Sequence, residues 1–446
     1  MATFTADVFE NEYLPEGSTE VHAVVSVTCS DAGSAGQSGA GQAAEIILID
    51  TSGSMDMPSA KIAAARRAAQ VALDEITDGT LFAVVAGNTG SQMIYPFNPM
   101  LAVMDQTVRE EAKRVVGEIR TSGATTIGSW INSLRELFLT TSAAQRHAIL
   151  LTDGKQEGET PAELDRAVEA AKGVFQCDCR GVGDNWKVDE LRRISTALLG
   201  TVDIIPSPEA MEADFEAMIQ RSMGRGVADA GLRVWAPEGS EILFVRQVAP
   251  VVEDLSDRAV PVTNLIREYP TGAWGDESRD YHVAVRVPVA PVGSERLAAR
   301  VEVVLGDEVQ SKALVRAIWS EDTDLTTRIN PAVAHYTGQV ELADAIQQGL
   351  AARDAGDDDA ATLLLGKAAR LAHEGGNEDT TRLLRKVVDI EDPDAGTVRL
   401  RTDVEKIDEM ALDTRSTKTI RIRKSASLAS PEPDSPAQPE AGEVTP

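Results

Sequence analysis

Three short polar clusters stand beside apolar runs. Asp50-Thr51-Ser52-Gly53-Ser54 comes directly after Ile46-Ile47-Leu48-Ile49. Gly123-Ala124-Thr125-Thr126 comes ahead of the helical stretch 128–139, and Thr152-Asp153-Gly154 comes after Ala148-Ile149-Leu150-Leu151. Asp50 and Asp153 bring carboxylates, while Ser52, Ser54 and Thr125 bring hydroxyls. All five are hard oxygen donors, with no thiolate or imidazole among them. Such a set suits Mg²⁺, which takes octahedral oxygen and keeps waters readily; Mn²⁺ and Ca²⁺ are the other ions it accepts. Two carboxylates and three hydroxyls, acting partly through water, leave a coordination position free. An acidic group from a partner can fill it.

Other chemistries lack a motif. The sequence has no G-x-x-x-x-G-K-[ST], G-x-G-x-x-G, G-x-S-x-G or H-E-x-x-H, so the usual phosphate cradles, serine elbows and zinc-protease helices are missing. His22, His147, His282, His335 and His373 are isolated and read as plain core or surface residues. Cys177 and Cys179 share a strand face with Phe175 and read as small core hydrophobes. Asp357-Asp358-Asp359 lacks the Gly and Glu of a calcium loop and reads as a helix start. No nucleophile–base pair stands at the three clusters, so no enzyme activity is expected of them.

The elements that position the clusters follow from periodicity. Over residues 44–224, apolar strand-like runs near 45–50, 81–86, 92–95, 148–152, 174–182 and 201–205 alternate with helical stretches at 60–76, 103–119, 128–139, 161–173, 187–198 and 208–222. Alternation of that kind predicts a doubly wound, mostly parallel sheet. In such a sheet ligands bind outside the carboxyl ends of the strands, which is where the three clusters fall. Residues 227–318 change to short strands, expected at 231–235, 241–248, 258–266, 280–287, 298–304 and 309–317, the pattern of a β-sandwich. Two strands within residues 1–29, with a turn over 11–17, cannot fold alone and are expected to join that sandwich. Residues 30–43 read as a linker with glycines at 33, 36, 39 and 41. Residues 330–413 read as a small helical domain of a hairpin plus a third helix running through Leu383, Leu384, Val387 and Val388. The remaining 414–446 carries a basic segment to 424, then a Pro-rich acidic tail expected to be disordered. The expected architecture is therefore α/β, with the wound sheet inserted in a β-sandwich and followed by the helical domain and tail.

Composition bounds the partners. The chain has 446 residues, about three domains' worth, and a net charge of −28, which argues against nucleic acid or an anionic membrane as partner. No apolar window spans a membrane, Met1–Asp7 does not read as a signal peptide, and three cysteines make no disulfide scaffold. A cytoplasmic location is expected. The basic segment 414–424 has two readings: docking on the chain's own acidic surface, or a phosphorylation segment using Thr414, Thr417 or Thr419.

The residues carry a family resemblance. Asp50, Ser52 and Ser54 form a D-x-S-x-S motif after the first apolar strand, Thr125 follows, and Asp153 closes the fourth strand. Together they resemble a von Willebrand factor type A domain with a metal-ion-dependent adhesion site. Gly123-Ala124-Thr125-Thr126 aligns with the family's G-G-T-N, with Ala124 and Thr126 as departures. The flanking strands are similar to those of inter-alpha-trypsin-inhibitor-like members. The whole layout is similar to cytoplasmic actinobacterial members that accompany Ser/Thr kinases, phosphatases and FHA-domain proteins. The resemblance implies a non-catalytic, Mg²⁺-dependent scaffold that captures an aspartate or glutamate of a protein partner, with a Ser/Thr kinase or FHA-domain protein among the partner classes. The alternative is a subunit of a MoxR- or chelatase-like AAA+ ATPase machine, whose chemistry would lie in trans.

Overall fold

The structure, a computed structural model, describes residues 2–35 and 42–421. The expected linker glycines 36, 39 and 41, the end of the basic segment and the acidic tail lie outside the described residues. The chain opens with β1 (Thr3–Glu10), β2 (Tyr13–Leu14) and β3 (Glu20–Ser30). The α/β part then runs β4 (Ala43–Asp50), α1 (Ala60–Glu75), β5 (Leu81–Gly87), β6 (Ser91–Tyr95), β7 (Ala102–Val103), α2 (Gln106–Val116), α3 (Ile127–Leu139), β8 (Gln145–Thr152), α4 (Pro161–Ala171), β9 (Gln176–Val182), α5 (Val188–Ala197), β10 (Val202–Ile205) and α6 (Met211–Met223). Its sheet is ordered β10-β9-β8-β4-β5-β6, parallel except for β6, with the short β7 also antiparallel on β5. Alternation along β4 explains the two covering layers. Ile47 and Ile49 pack with α1, α2 and α6, while Ile46 and Leu48 pack with α3, α4 and α5. From β4 the chain first adds β5 on one side and later β8 on the other, so the strand order reverses between β4 and β8. That switch point opens a crevice at their carboxyl ends.

The sandwich contains β11 (Val227–Trp235), β12 (Glu241–Ala249), β13 (Glu253–Asp254), β14 (Val260–Pro261), β15 (Ile266–Trp274), β16 (Glu277–Arg286), β17 (Glu295–Leu305) and β18 (Glu308–Trp319). One sheet is ordered β1-β3-β16-β12-β13 and the other β14-β15-β11-β17-β18-β2. The strands before the wound sheet thus pair with strands after it, and the α/β part is an insertion. The expected turn at 11–17 also contains β2, which pairs in parallel with β18 in the second sheet. The expected strand at 258–266 is misplaced. Residues 256–258 form a 3₁₀ turn, Val260 and Val262 face solvent, and Pro261 sits on the short edge strand β14, where its missing amide donor costs nothing. The real strand, β15, was masked by Pro270 and Gly272, two residues that break strand patterns; a register shift opposite Ala230 and Gly231 accommodates them.

The C-terminal part runs α7 (Thr323–Thr326), α8 (Pro331–Asp354), α9 (Asp358–Glu374), α10 (Glu378–Val387), β19 (Val388–Asp392), β20 (Thr397–Leu400) and α11 (Lys406–Arg415). The expected third helix ends at Val387. Val388 instead opens a β-hairpin whose turn holds Gly396 at φ 70°, and Val398 packs back on the helical core. Both ends of this part are anchored elsewhere. Ala332, Val333 and Tyr336 of α8 pack on Val24, Val248 and Ala249 of the sandwich, while Met410 and Ala411 of α11 join the α/β core. Among the described residues no helix is long and apolar enough to cross a membrane. Cys29, Cys177 and Cys179 are free and buried. Cys29, which borders the linker in sequence, packs in the sandwich core, and burial pushes its thiol up to about 11.

Candidate metal site

Asp50 ends β4 fully buried, and its carboxylate is oriented on both sides. Oδ1 accepts the Ser52 amide at 2.7 Å and Oδ2 accepts the Thr152 hydroxyl at 2.6 Å. Ser52 Oγ lies 3.0 Å from Ser54 Oγ, and Ser54 Oγ donates to Asp153 Oδ1 at 2.6 Å. The loop bearing Thr125 is stitched to the first loop by backbone bonds, Gly53 N to Gly123 O at 3.0 Å and Ser122 N to Thr51 O at 2.7 Å. The Thr125 carbonyl accepts from Glu157 and Gly158. Gly154 marks the point of convergence. A Cβ there would lie 3.1 Å from Thr125 Oγ1 and 3.6 Å from Ser54 Oγ. The hydroxyls therefore crowd around a bare Cα rather than around a side chain. Thr126 is engaged elsewhere, donating to Asn88 O at 2.9 Å. The structure thus brings Asp50, Ser52, Ser54, Thr125 and Asp153 together at the switch point.

Two carboxylates are buried here, Asp50 and Asp153. Burial pushes Asp50 up to about 6, and the hydrogen bonds from Ser52 and Thr152 only partly oppose it. Asp153 is also fully buried, and its Oδ2 meets Lys61 Nζ at 2.6 Å. Sequence reasoning missed Lys61. The only available signal was a lysine in the first turn of the helix that follows the D-x-S-x-S loop. Among the described residues no group of three or more His, Cys, Asp and Glu could hold a metal ion. The donor set here is hydroxyl-rich with two carboxylates, which fits a hard divalent cation and not a soft one.

A second buried polar cluster lies at the amino ends of the same strands. His147 Nδ1 is 2.6 Å from Glu45 Oε1, and its Nε2 is 3.1 Å from Asp178 Oδ2. Ser222 Oγ donates to Glu45, and the Thr201 amide and hydroxyl donate to Asp178. Burial disfavours the imidazolium, yet the two carboxylates push His147 up to about 9. Burial likewise opposes the Asp178 charge, and His147 with Arg180 and Arg225 holds its carboxyl well below the usual range. The residue read from sequence as a plain core histidine is the centre of an ion-pair chain. Its partners come from positions 45 and 178, a proximity visible only once β4, β8 and β9 are paired.

The described part of the basic segment, 414–421, lies on acidic groups of the chain itself. Arg415 and Lys418 hold Asp203 at 3.0 and 2.5 Å, and Arg421 makes a two-pronged contact with Asp280 at 3.0 Å. Thr417 O accepts from Val252 N, and Thr419 N donates to Pro250 O. Thr414 is buried within α11.

The von Willebrand factor type A domain family matches residues 44–204, and the von Willebrand factor type A C-terminal domain family matches residues 370–416. A solved von Willebrand factor type A structure from Catenulispora acidiphila is 48% identical, with a TM-score of 0.90, over 94% of this chain and 97% of that one. The ArnB paralog VWA2 from Sulfolobus acidocaldarius, 14% identical with a TM-score of 0.55 over 93% of this chain and 98% of that one, shares the fold. No curated protein matches the sequence. With nearly half of its residues identical to the Catenulispora protein along almost the whole of both chains, the chain belongs to the von Willebrand factor type A family.

Proposed function

We propose that the chain is a non-catalytic, Mg²⁺-dependent protein-binding scaffold. Asp50, Ser52, Ser54, Thr125 and Asp153 would hold the ion, which supplies a Lewis-acidic position for an aspartate or glutamate of the partner. The observation that supports this most is the convergence of Thr125 Oγ1 and Ser54 Oγ on bare Gly154, beside the two buried carboxylates. Neighbouring groups hold these donors in place. Thr152 and the Ser52 amide fix the Asp50 carboxylate, and the backbone bonds between the loops fix Thr125 relative to Ser54. The three free cysteines suit a reducing, cytoplasmic setting, and by the resemblance a Ser/Thr kinase or FHA-domain protein is the partner class to look for first. The test is a pull-down from native lysate in Mg²⁺ and in EDTA, with wild type and the Asp50→Ala/Thr125→Ala double variant. The partner should be retained by wild type in Mg²⁺ and lost both in EDTA and with the variant. Equal retention in all arms would sink the reading.

A further inference from the structure

We infer that Lys61 is a tethered counter-cation of this site, one that weakens the site's own hold on a divalent ion and makes that hold depend on an incoming anionic group. The inference rests on the proposed metal site and adds to it a residue that sets its ligand preference. Lys61 stands in the first turn of α1, its side chain is only 16% exposed, and its ammonium lies 2.6 Å from Asp153 Oδ2. The other oxygen of Asp153 is held by Ser54 at 2.6 Å. One carboxylate of the donor set is therefore shared between a hydroxyl of that set and a fixed positive charge outside it.

Charge counting gives the consequence. Asp50 and Asp153 bring two negative charges and Lys61 returns one positive charge, so the three together carry a single negative charge. A divalent ion added to the two carboxylates alone reaches neutrality. Added beside Lys61, it leaves a net positive charge. The ion is then held less tightly, and a carboxylate arriving from outside meets a cationic site rather than a neutral one. Two unit charges about 6 Å apart at an effective dielectric of about 20 shift an equilibrium roughly a hundredfold, and a divalent ion doubles that energy, so an effect of about tenfold is a lower bound. Lysine suits the task because its ammonium is a compact point charge on a four-carbon stem that reaches Asp153 from the first turn of α1.

The test uses Mn²⁺ as the probe, with free ion read by electron paramagnetic resonance, on the full chain. Four proteins are titrated: wild type, Lys61→Met, Lys61→Arg and Asp50→Ala, each with and without acetate at fixed ionic strength. Thermal melts confirm folding, and Lys61→Gln replaces Lys61→Met if the latter fails to fold. Lys61→Met should bind Mn²⁺ at least about tenfold more tightly than wild type, and Lys61→Arg should stay near wild type. Acetate should tighten Mn²⁺ binding in wild type more than in Lys61→Met. Unchanged or weaker binding by Lys61→Met, with Asp50→Ala binding abolished, would overturn the role of Lys61 and leave the metal site standing. Equal acetate dependence in wild type and Lys61→Met would overturn the coupling to an anion. No Mn²⁺ binding by wild type, or binding untouched by Asp50→Ala, would remove the metal site and the inference together.

Discussion

At the scale of single residues, Gly154 is the most sensitive position of the site. An added methyl there enters the space between Thr125 Oγ1 and Ser54 Oγ, at 3.1 and 3.6 Å. Those contacts are tight but not overlapping, so Gly154→Ala should cost under about 1.5 kcal/mol of stability. Divalent-ion binding should drop by about tenfold or more, equivalent to about 1.4 kcal/mol, in a Mn²⁺ titration. Retained affinity would mean that the hydroxyls do not act together. That these five residues would meet was legible in the sequence because each sits near where an apolar run or a helix begins or ends, and strand ends are where α/β sheets present ligands. Lys61 was not legible. Its meaning depends on how α1 is rotated over the sheet, and α1 is set by packing of Ala64, Ala65, Ala68, Ala69 and Ala72 that no local pattern specifies.

At the scale of elements, strand reading worked where residues alternated or ran apolar, and failed where backbone chemistry overrode the pattern. β15 was hidden by Pro270 and Gly272, tolerated because the strand bulges there. The β19–β20 hairpin was hidden because Val387 and Val388 extend a helical stripe, and the decision to leave the helix is made by packing against α9 rather than by a breaker residue. The C-terminal segment makes a quantitative case. Asp280 is 2% exposed and is satisfied by Ser26, Tyr336 and the two-pronged Arg421. Arg421→Ala removes the one full positive charge among those three partners and leaves a buried carboxylate on two hydroxyls. A loss of about 1–3 kcal/mol is expected, measured as a lower urea midpoint. An unchanged midpoint would show that 416–421 is held without Arg421, by Lys418 on Asp203 and its backbone bonds. A phosphate on Thr414 would first require α11 to leave the α/β core, so kinase access, if tested by phosphoproteomics, should favour Thr417 or Thr419 over Thr414.

At the scale of the whole molecule, the Glu45–His147–Asp178 chain gives the protein a pH signature. The imidazole is held at about 9 when folded, against about 6.5 in an unfolded chain. Its contribution is therefore complete below about 6.5, shrinks as pH rises, and is lost above about 9. Asp178, held low, contributes above about 3.9 and loses that contribution as pH falls through the acid range. Wild type should lose up to about 3 kcal/mol more than His147→Gln between neutral pH and pH about 10, read by melting temperature across that range. Parallel pH profiles for the two proteins would contradict the assignment. The division of the chain into a wound sheet within a sandwich was legible because the change from long periodic helices to short strands is abrupt near residue 225. The cross-links between distant positions were not, since Glu45 and Ser222 within the wound sheet, or Arg421 and Asp280 between the C-terminal segment and the sandwich, meet only in three dimensions.

The insertion of one sheet inside another also has a consequence in time. β3, a Val-rich interior strand of its sheet, pairs with β16, and Ser26 meets Asp280 across 254 positions of chain. A ribosome releases β1 to β3 first, yet their partner is made only after the entire wound sheet has emerged. The wound sheet has its partners close by and can close early, whereas the sandwich must wait for contacts of very high sequence separation. Through that interval the Val24–Val27 stretch is paired only with β1 and leaves its other side as an open, adhesive edge. In refolding from denaturant, Trp130 and Trp186 of the wound sheet should therefore reach their native fluorescence before Trp274 and Trp319 of the sandwich, followed in variants that keep one tryptophan each. Simultaneous recovery would mean that the two nested sheets fold as one unit.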